Sequence, residues 1–395
     1  MKTSFTKIDG AVTAPRGFRA AAAAAGIKRS GKLDMAMIVS DVPAVAAATF
    51  TTNQVKAAPV KLDMQHIKSG KACAIVVNSG NANACTGTIG LIHAEAMAAA
   101  VARRIGCRET GVLVCSTGRI GVLMPIVKIE GGIKKLLGSL SPSGGPLAAS
   151  GIMTTDTFPK HIAVRVKSGG KTIRIGAIAK GAGMIEPNMA TMLCFITTDA
   201  AIPRAALQKA LRAAVNQSFN RVTVDGDTST NDTVICLANG LAGEFPIAPF
   251  QEALTYVCVE LAKMMVHDGE GVSKFVTVNV TGAANDRDAD IAARSVANST
   301  LVKCCWCGGD PNWGRIMDAL GYSKAKVDDA AVDISFNGVA ATRNGVAART
   351  PLARLKKIVA ASSFTVDIDL HLGRGRCTIH TCDLTERYVT LNKGE

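Results

Sequence analysis

An alcohol becomes an acyl-transfer nucleophile only when it is held against a carbonyl and a base can take its proton. The stretch Lys180-Gly181-Ala182-Gly183-Met184-Ile185-Glu186-Pro187-Asn188-Met189-Ala190-Thr191-Met192-Leu193 joins a flexible turn, a rigid proline and a small residue placed directly before a threonine at the head of an apolar run. A Thr191 hydroxyl held against its own preceding carbonyl can attack it, and small Ala190 leaves room for the tetrahedral centre. Cleavage between Ala190 and Thr191 then frees an α-amine beside that hydroxyl. With an ordinary pKa of about 8, the amine can act as general base near neutral pH without a histidine. The same pattern also suits a plain glycine-rich turn entering a strand, so these residues permit the chemistry without requiring it.

Other chemistries find less support. There is no His-Glu-x-x-His, no dinucleotide glycine pattern between a strand and a helix, and no complete phosphate loop. Gly170-Lys171-Thr172 resembles the end of such a loop, but Arg165 stands where its first glycine belongs. The six histidines are dispersed and no Gly-x-Ser-x-Gly turn presents a serine, although triad members can converge in space. Cys304-Cys305-Trp306-Cys307 is the only local concentration among twelve cysteines, with no further Cys or His at zinc-ligand spacing nearby. It reads as an apolar strand running into a turn, and no metal is expected. Asp225 to Asp232 resembles a calcium loop, but position twelve is not Glu, so a polar structural turn is expected.

The elements that must position this chemistry show in the periodicity. His161 to Val166, Lys171 to Ile175, Phe275 to Val280, Val332 to Phe336 and Phe364 to Leu370 alternate apolar and polar residues and predict half-buried strands, the first two joined as a hairpin at Ser168-Gly169-Gly170. Helical spacing marks His93 to Ile105, Arg204 to Ser218 and Gln251 to Met265, the last with a core stripe of Leu254, Val257, Leu261 and Met264. Ser139 to Gly151, rich in Ser, Gly and Pro, predicts a mobile surface loop. Strands grouped in hairpins with helices between the groups predict a layered α+β fold rather than a strictly alternating one.

Composition narrows the function classes. With 395 residues, 48% apolar and 19% charged, the chain can bury a large core in two lobes. The net charge of +14 is scattered, without a long basic run and with few aromatics for stacking. Nucleic acid is therefore not expected, whereas small carboxylates suit the charge. The alanine-rich stretches Ala20 to Ile27 and Ala94 to Val101 are too short to cross a bilayer. Met1 to Arg16 has no apolar core followed by a small-residue cleavage site, so a cytoplasmic location away from membranes is expected, with most cysteines reduced and buried.

Lys180 to Leu193 resembles the ornithine acetyltransferase (glutamate N-acetyltransferase) family. So do Gly17-Phe18-Arg19, Asn78 to Ala84, Ser116-Thr117-Gly118, Thr154-Thr155-Asp156-Thr157, Asp225 to Asp232, Asp268 to Gly271 and Asp310 to Arg315. The matches keep the family's order and span nearly the whole chain. The resemblance implies an α/β, N-terminal-nucleophile-hydrolase-like architecture: two lobes with mixed β-sheets flanked by helices. It implies self-cleavage into an α chain, 1–190, and a β chain, 191–395, which stay associated as a heterotetramer. The implied reaction is ping-pong: acetyl passes from N-acetylornithine to Thr191 and then to glutamate. No cofactor is implied. Acetyl-CoA is a further candidate donor, for which no phosphate-cradling loop stands out.

The resemblance also assigns residues. Thr117 and Gly118 would form the oxyanion hole, although by themselves they look like an ordinary strand end. Thr155, Lys180, Thr191, Glu270 and Asn392 would bind substrate. Lysine suits the α-carboxylate shared by both substrates, and a carboxylate suits an amine. The family places a Ser or Thr five positions after the asparagine. That position falls beyond Glu395, so a pocket without this hydroxyl is expected. Two other readings stay open: an amidase or aminopeptidase using the same threonine, and a non-catalytic metal- or anion-binding protein built on Cys304 to Cys307 and the positive charge.

Overall fold

Strands with apolar residues at consecutive positions must be covered on both faces. This constraint governs the first of two compact units into which the computed structural model divides. The structure describes residues 4–186 and 192–393. The first unit takes Met1–Asn220 and Asp227–Met265, the second Arg221–Gly226 and Val266–Glu395.

In the first unit, strands β1 (Ser4–Ile8), β2 (Phe18–Ala23), β3 (Met35–Phe50), β4 (Lys71–Asn81), β5 (Val112–Arg119), β6 (Lys160–Ser168), β7 (Lys171–Lys180), β8 (Leu193–Ala201) and β9 (Thr233–Glu244) form one sheet. Its order is β1-β6-β7-β8-β9-β3-β4-β5, with β2 also paired to β3. The β8/β9 and β4/β5 pairs are parallel. Side chains of β4 alternate between two cores: Ile75 and Val77 join Ile38, Phe195 and Ile235 on one face, while Ala74 and Val76 join Met35 and Met37 on the other. The second face is covered by α2 (Gly87–Ile105) and α3 (Ile126–Gly138), through Met97, Val101, Ile129 and Ile133, after a shorter α1 (Ala58–His66).

The hairpin expected at Ser168 to Gly170 is present. Ser168 pairs with Lys171, and Gly169 and Gly170 both have positive φ, the geometry that matches strand twist in a two-residue turn. The Ser139 to Gly151 segment corrects the expectation of a mobile loop. Residues Gly145–Gly151 form a helix, α4, with Ala148 and Ala149 fully buried, and Ser141 bridges Ala20 through two backbone hydrogen bonds of 3.0 Å. The glycines there serve close packing: a Cβ on Gly144 would sit 1.9 Å from the Ala20 carbonyl oxygen.

Two longer helices follow, α5 (Arg204–Gln217) and α6 (Ile247–His267), joined by Gln251 Nε2 donating to the Ala210 carbonyl at 3.1 Å. Leu254, Val257 and Leu261 are fully buried as expected. Met264 is only half-buried, and Met265 takes the core position.

The second unit holds β10 (Phe275–Ala283), β11 (Asp333–Phe336), β12 (Val339–Arg343), β13 (Val346–Ala347), β14 (Ser363–Asp369) and β15 (Gly375–Cys382), ordered β13-β12-β11-β14-β10-β15. Only β10/β14 is parallel. Helices α7 (Asp286–Asn298), α8 (Thr300–Cys307), α9 (Trp313–Gly321), α10 (Leu352–Val359) and α11 (Glu386–Asn392) complete it. One face is apolar: Val276, Val278 and Val280 pack with Ala292, Val296, Trp306 and Leu320. The layered two-lobe α/β architecture with mixed sheets is thus as expected.

Cys304 to Cys307, expected as a strand end, lie on α8 instead. Ser299 caps this helix by accepting from the Val302 N–H, and Val302, Cys305 and Trp306 form its buried face at helical spacing. Cys304 and Cys307 point to solvent, and among the described residues no three His, Cys, Asp or Glu side chains converge as a metal set. No described helix is long and apolar enough to cross a membrane.

Trp306 is almost fully buried and meets Phe364 edge-on with ring centroids 6.1 Å apart. Trp306→Ala is expected to cost about 3–5 kcal/mol, whereas exposed Cys304→Ser should stay within about 0.5 kcal/mol. Denaturant unfolding of the two variants beside wild type measures the difference.

Candidate active site

The ends of β4 and β5 come closer than side chains allow. Asn78, Ser79 and Gly80 pair in parallel with Ser116, Thr117 and Gly118. Gly118 has φ +128°, and a Cβ there would lie 2.4 Å from the Gly80 carbonyl carbon and 2.6 Å from the Asn81 nitrogen. No other residue fits. Buried amides lock the approach: Ser116 Oγ donates to Asn78 Oδ1 at 2.6 Å, and Asn231 Nδ2 donates to the Ser116 and Ala82 carbonyls at 2.8 and 2.7 Å. Thr117 is thereby fixed with 4% exposure.

Lys180 reaches this point from the other half of the sheet. It ends β7 and pairs with Leu193, the first residue of β8. Its side chain is 2% exposed, and Nζ donates to Thr117 Oγ1 at 3.4 Å. Met192 is anchored beside the start of β9, its N–H donating to Asp232 Oδ1 at 2.9 Å and its carbonyl accepting from Thr233 N–H at 3.2 Å. Burial pushes the Asp232 carboxyl well up, opposed by the Met192 N–H and the charge of Lys180. Its Oδ2 is buried without a hydrogen-bond partner among the described residues.

Thr155 lies exposed on the turn before β6, and the next residue ties that turn to Lys180. Asp156 accepts from the Thr154 N–H at 2.9 Å, the Gly181 N–H at 2.8 Å and Lys160 Nζ at 2.6 Å. Burial alone would raise its carboxyl, but the charges of Lys180 and Lys160 outweigh that and hold it at about 2. Lys28 adds another ammonium. Its Nζ donates to the Leu33 and Met153 carbonyls at 2.7 Å each. Burial brings it down to about 8, Asp34 opposing and Lys180 adding to the shift.

The first unit therefore gathers Thr117, Gly118, Lys180 and the Thr155 turn, an arrangement able to donate hydrogen bonds to a developing oxyanion and to hold a carboxylate. Ala190 and Thr191 lie outside the described residues. The second unit brings together Glu270 and Asn392, with Asn392 Nδ2 donating to Glu270 Oε2 at 2.8 Å. Here α11 is pinned to the Asp268 to Gly271 turn, since Thr385 Oγ1 donates to the Gly271 carbonyl at 2.6 Å.

A separate cavity of about 1050 Å³, lined by Arg19, Lys71, Arg104 and Arg108 among others, opens at the start of β4 and before β5. It sits at the opposite strand ends from Thr117 and is not part of this cluster. Sequence reasoning named Asp156 and Asp232 only as members of motifs, without a role of their own, and overlooked Lys160 and Lys28. Asp156 and Lys160 stand four apart, a spacing informative on a helix, but they occupy a turn and a strand.

Residues 19–394 match the ArgJ family. The arginine biosynthesis bifunctional protein ArgJ of Geobacter sulfurreducens is 50% identical over 386 residues, covering 95% of this chain and 98% of that protein. Its namesake from Symbiobacterium thermophilum is 49% identical over 394 residues, with 98% of both chains covered. A solved ornithine acetyltransferase complexed with ornithine, from Mycobacterium tuberculosis, is 43% identical, covering 47% of this chain and 98% of that one, with a TM-score of 0.44. The resemblance read from the motifs is borne out, and the chain belongs to the ArgJ family.

Proposed function

We propose that the chain is an acyltransferase of arginine biosynthesis that moves acetyl from N-acetylornithine to glutamate through an ester on Thr191. The observation that carries this reading is the Lys180–Thr117 contact of 3.4 Å beside the Gly118–Gly80 approach. Donors and a cation are thus fixed at the strand ends that bracket the Lys180 to Leu193 segment.

Self-cleavage comes first. The Thr191 hydroxyl attacks the Ala190 carbonyl, the C–N bond breaks, and water hydrolyses the resulting ester, leaving a carboxylate on Ala190 and a free amine on Thr191. In turnover this amine accepts the hydroxyl proton as Thr191 attacks the acetyl carbonyl of N-acetylornithine. Thr117 and the Gly118 amide stabilise the oxyanion. The proton passes to the departing ornithine amine as the acetyl C–N bond breaks. Glutamate's amine then attacks the ester, giving N-acetylglutamate and the free hydroxyl. Lys180 holds the α-carboxylate that both substrates carry, and the Thr155 hydroxyl contacts substrate beside it. In the second unit, Glu270 held by Asn392 offers a carboxylate to a substrate amine. The relatives' designation as bifunctional supports acetyl-CoA as a second donor to the same hydroxyl. The two products, 1–190 and 191–395, are proposed to remain paired and to assemble as a cytoplasmic heterotetramer.

Intact-mass measurement of wild type and Thr191→Ala tests the route. Wild type should give two fragments meeting at Ala190 and Thr191, the second gaining an acetyl mass with N-acetylornithine, while the variant stays whole and unlabelled. An uncut, unlabelled wild type rejects the mechanism, and acetate released without glutamate points to a hydrolase. Thr117→Ala should lower kcat by about 10²–10³ with little change in KM, since it removes a donor to the transition state. Steady-state kinetics on the cleaved enzyme reads that split, and a rise in KM alone would move Thr117 to ground-state binding.

A further inference from the structure

Asp156 has no role in the reaction above, yet it binds the residues next to two of those assigned one, Thr155 and Lys180. Its side chain and that of Lys160 are both fully buried and paired at 2.6 Å. A buried ion pair contributes little net stability compared with well-packed apolar residues of the same size, so folding does not by itself explain why this one is here. Its neighbours do. One carboxylate oxygen accepts from the Gly181 N–H, directly after Lys180, and the other from the Thr154 N–H, directly before Thr155. The same carboxylate supplies the negative charge that two buried ammonium groups, Lys160 and Lys180, share.

We infer that Asp156 is the positioning residue of the substrate pocket: by accepting from the Thr154 and Gly181 amides it fixes the Thr155 turn against the end of β7, where Lys180 stands to receive the substrate carboxylate. This rests on the acetyltransferase reading and deepens it. Without the carboxylate, Gly181 and Thr154 lose their acceptor and Lys160 loses its ion-pair partner. The α-carboxylate of either substrate then meets a displaced partner.

Asp156→Asn, nearly isosteric, tests this in the self-cleaved enzyme. KM for both N-acetylornithine and glutamate is expected to rise about tenfold or more, with kcat within about threefold of wild type. A merely structural role would lower thermal stability without raising KM. If the single variant does not fold, Asp156→Asn/Lys160→Met removes the unpaired buried ammonium and should fold while keeping the raised KM. A folded variant with wild-type KM overturns the inference, as does failure of both variants to fold, which would assign the pair to stability. Wild type that transfers acetyl beside such a result leaves the acetyltransferase reading standing. Wild type that transfers none removes that reading and this inference together.

Discussion

Burying an ammonium group without compensation is prohibitively costly, and the first unit buries two, Lys160 and Lys180, with Lys28 half-buried. Lys28, Lys160 and Lys180 interact with Asp34 and Asp156 within the first unit. The surroundings of each are dictated by that cost. Asp34 gathers the Ala25, Ile27 and Lys28 amides, Lys28 caps the Leu33 and Met153 carbonyls, and Asp156 ties the Thr154 amide to Gly181. The scattered net charge of +14 told only that anions suit the protein, whereas the fold places the buried Lys180 ammonium beside Thr117.

The sheet gives the proposed cleavage a simple consequence. A cut between 190 and 191 separates β7 from β8 in the chain but not in space, since Lys180 pairs with Leu193 and the ladder continues to Ile175 opposite Thr198. Strands β8 and β9 would belong to the second product, yet they lie between β7 and β3 of the first, hydrogen-bonded on both sides. Two interior strands cannot leave without exposing two ladders of backbone donors and acceptors and the cores on both faces. Cleaved products would therefore stay associated through the shared sheet, and neither would coincide with a compact unit.

How much could be read in advance follows from how each sheet is covered. In the second unit the sheet buries one face, so Val276, Val278 and Val280 alternate with Thr277 and Asn279, and its main strands were legible as period two. The first unit's central strands are buried on both faces, and β2 ends in four consecutive alanines that carry no period and prefer helix; only pairing with β3 makes them a strand. Glycine misled in the opposite sense. Between Ser139 and Gly151 it signalled a loop, whereas it permits tight helix packing. Roles for Thr117, Gly118, Lys180 and Glu270 were named through family resemblance alone. Asp156 and Lys160 were given no role because a buried charge on a turn looks, in sequence, like any solvated one.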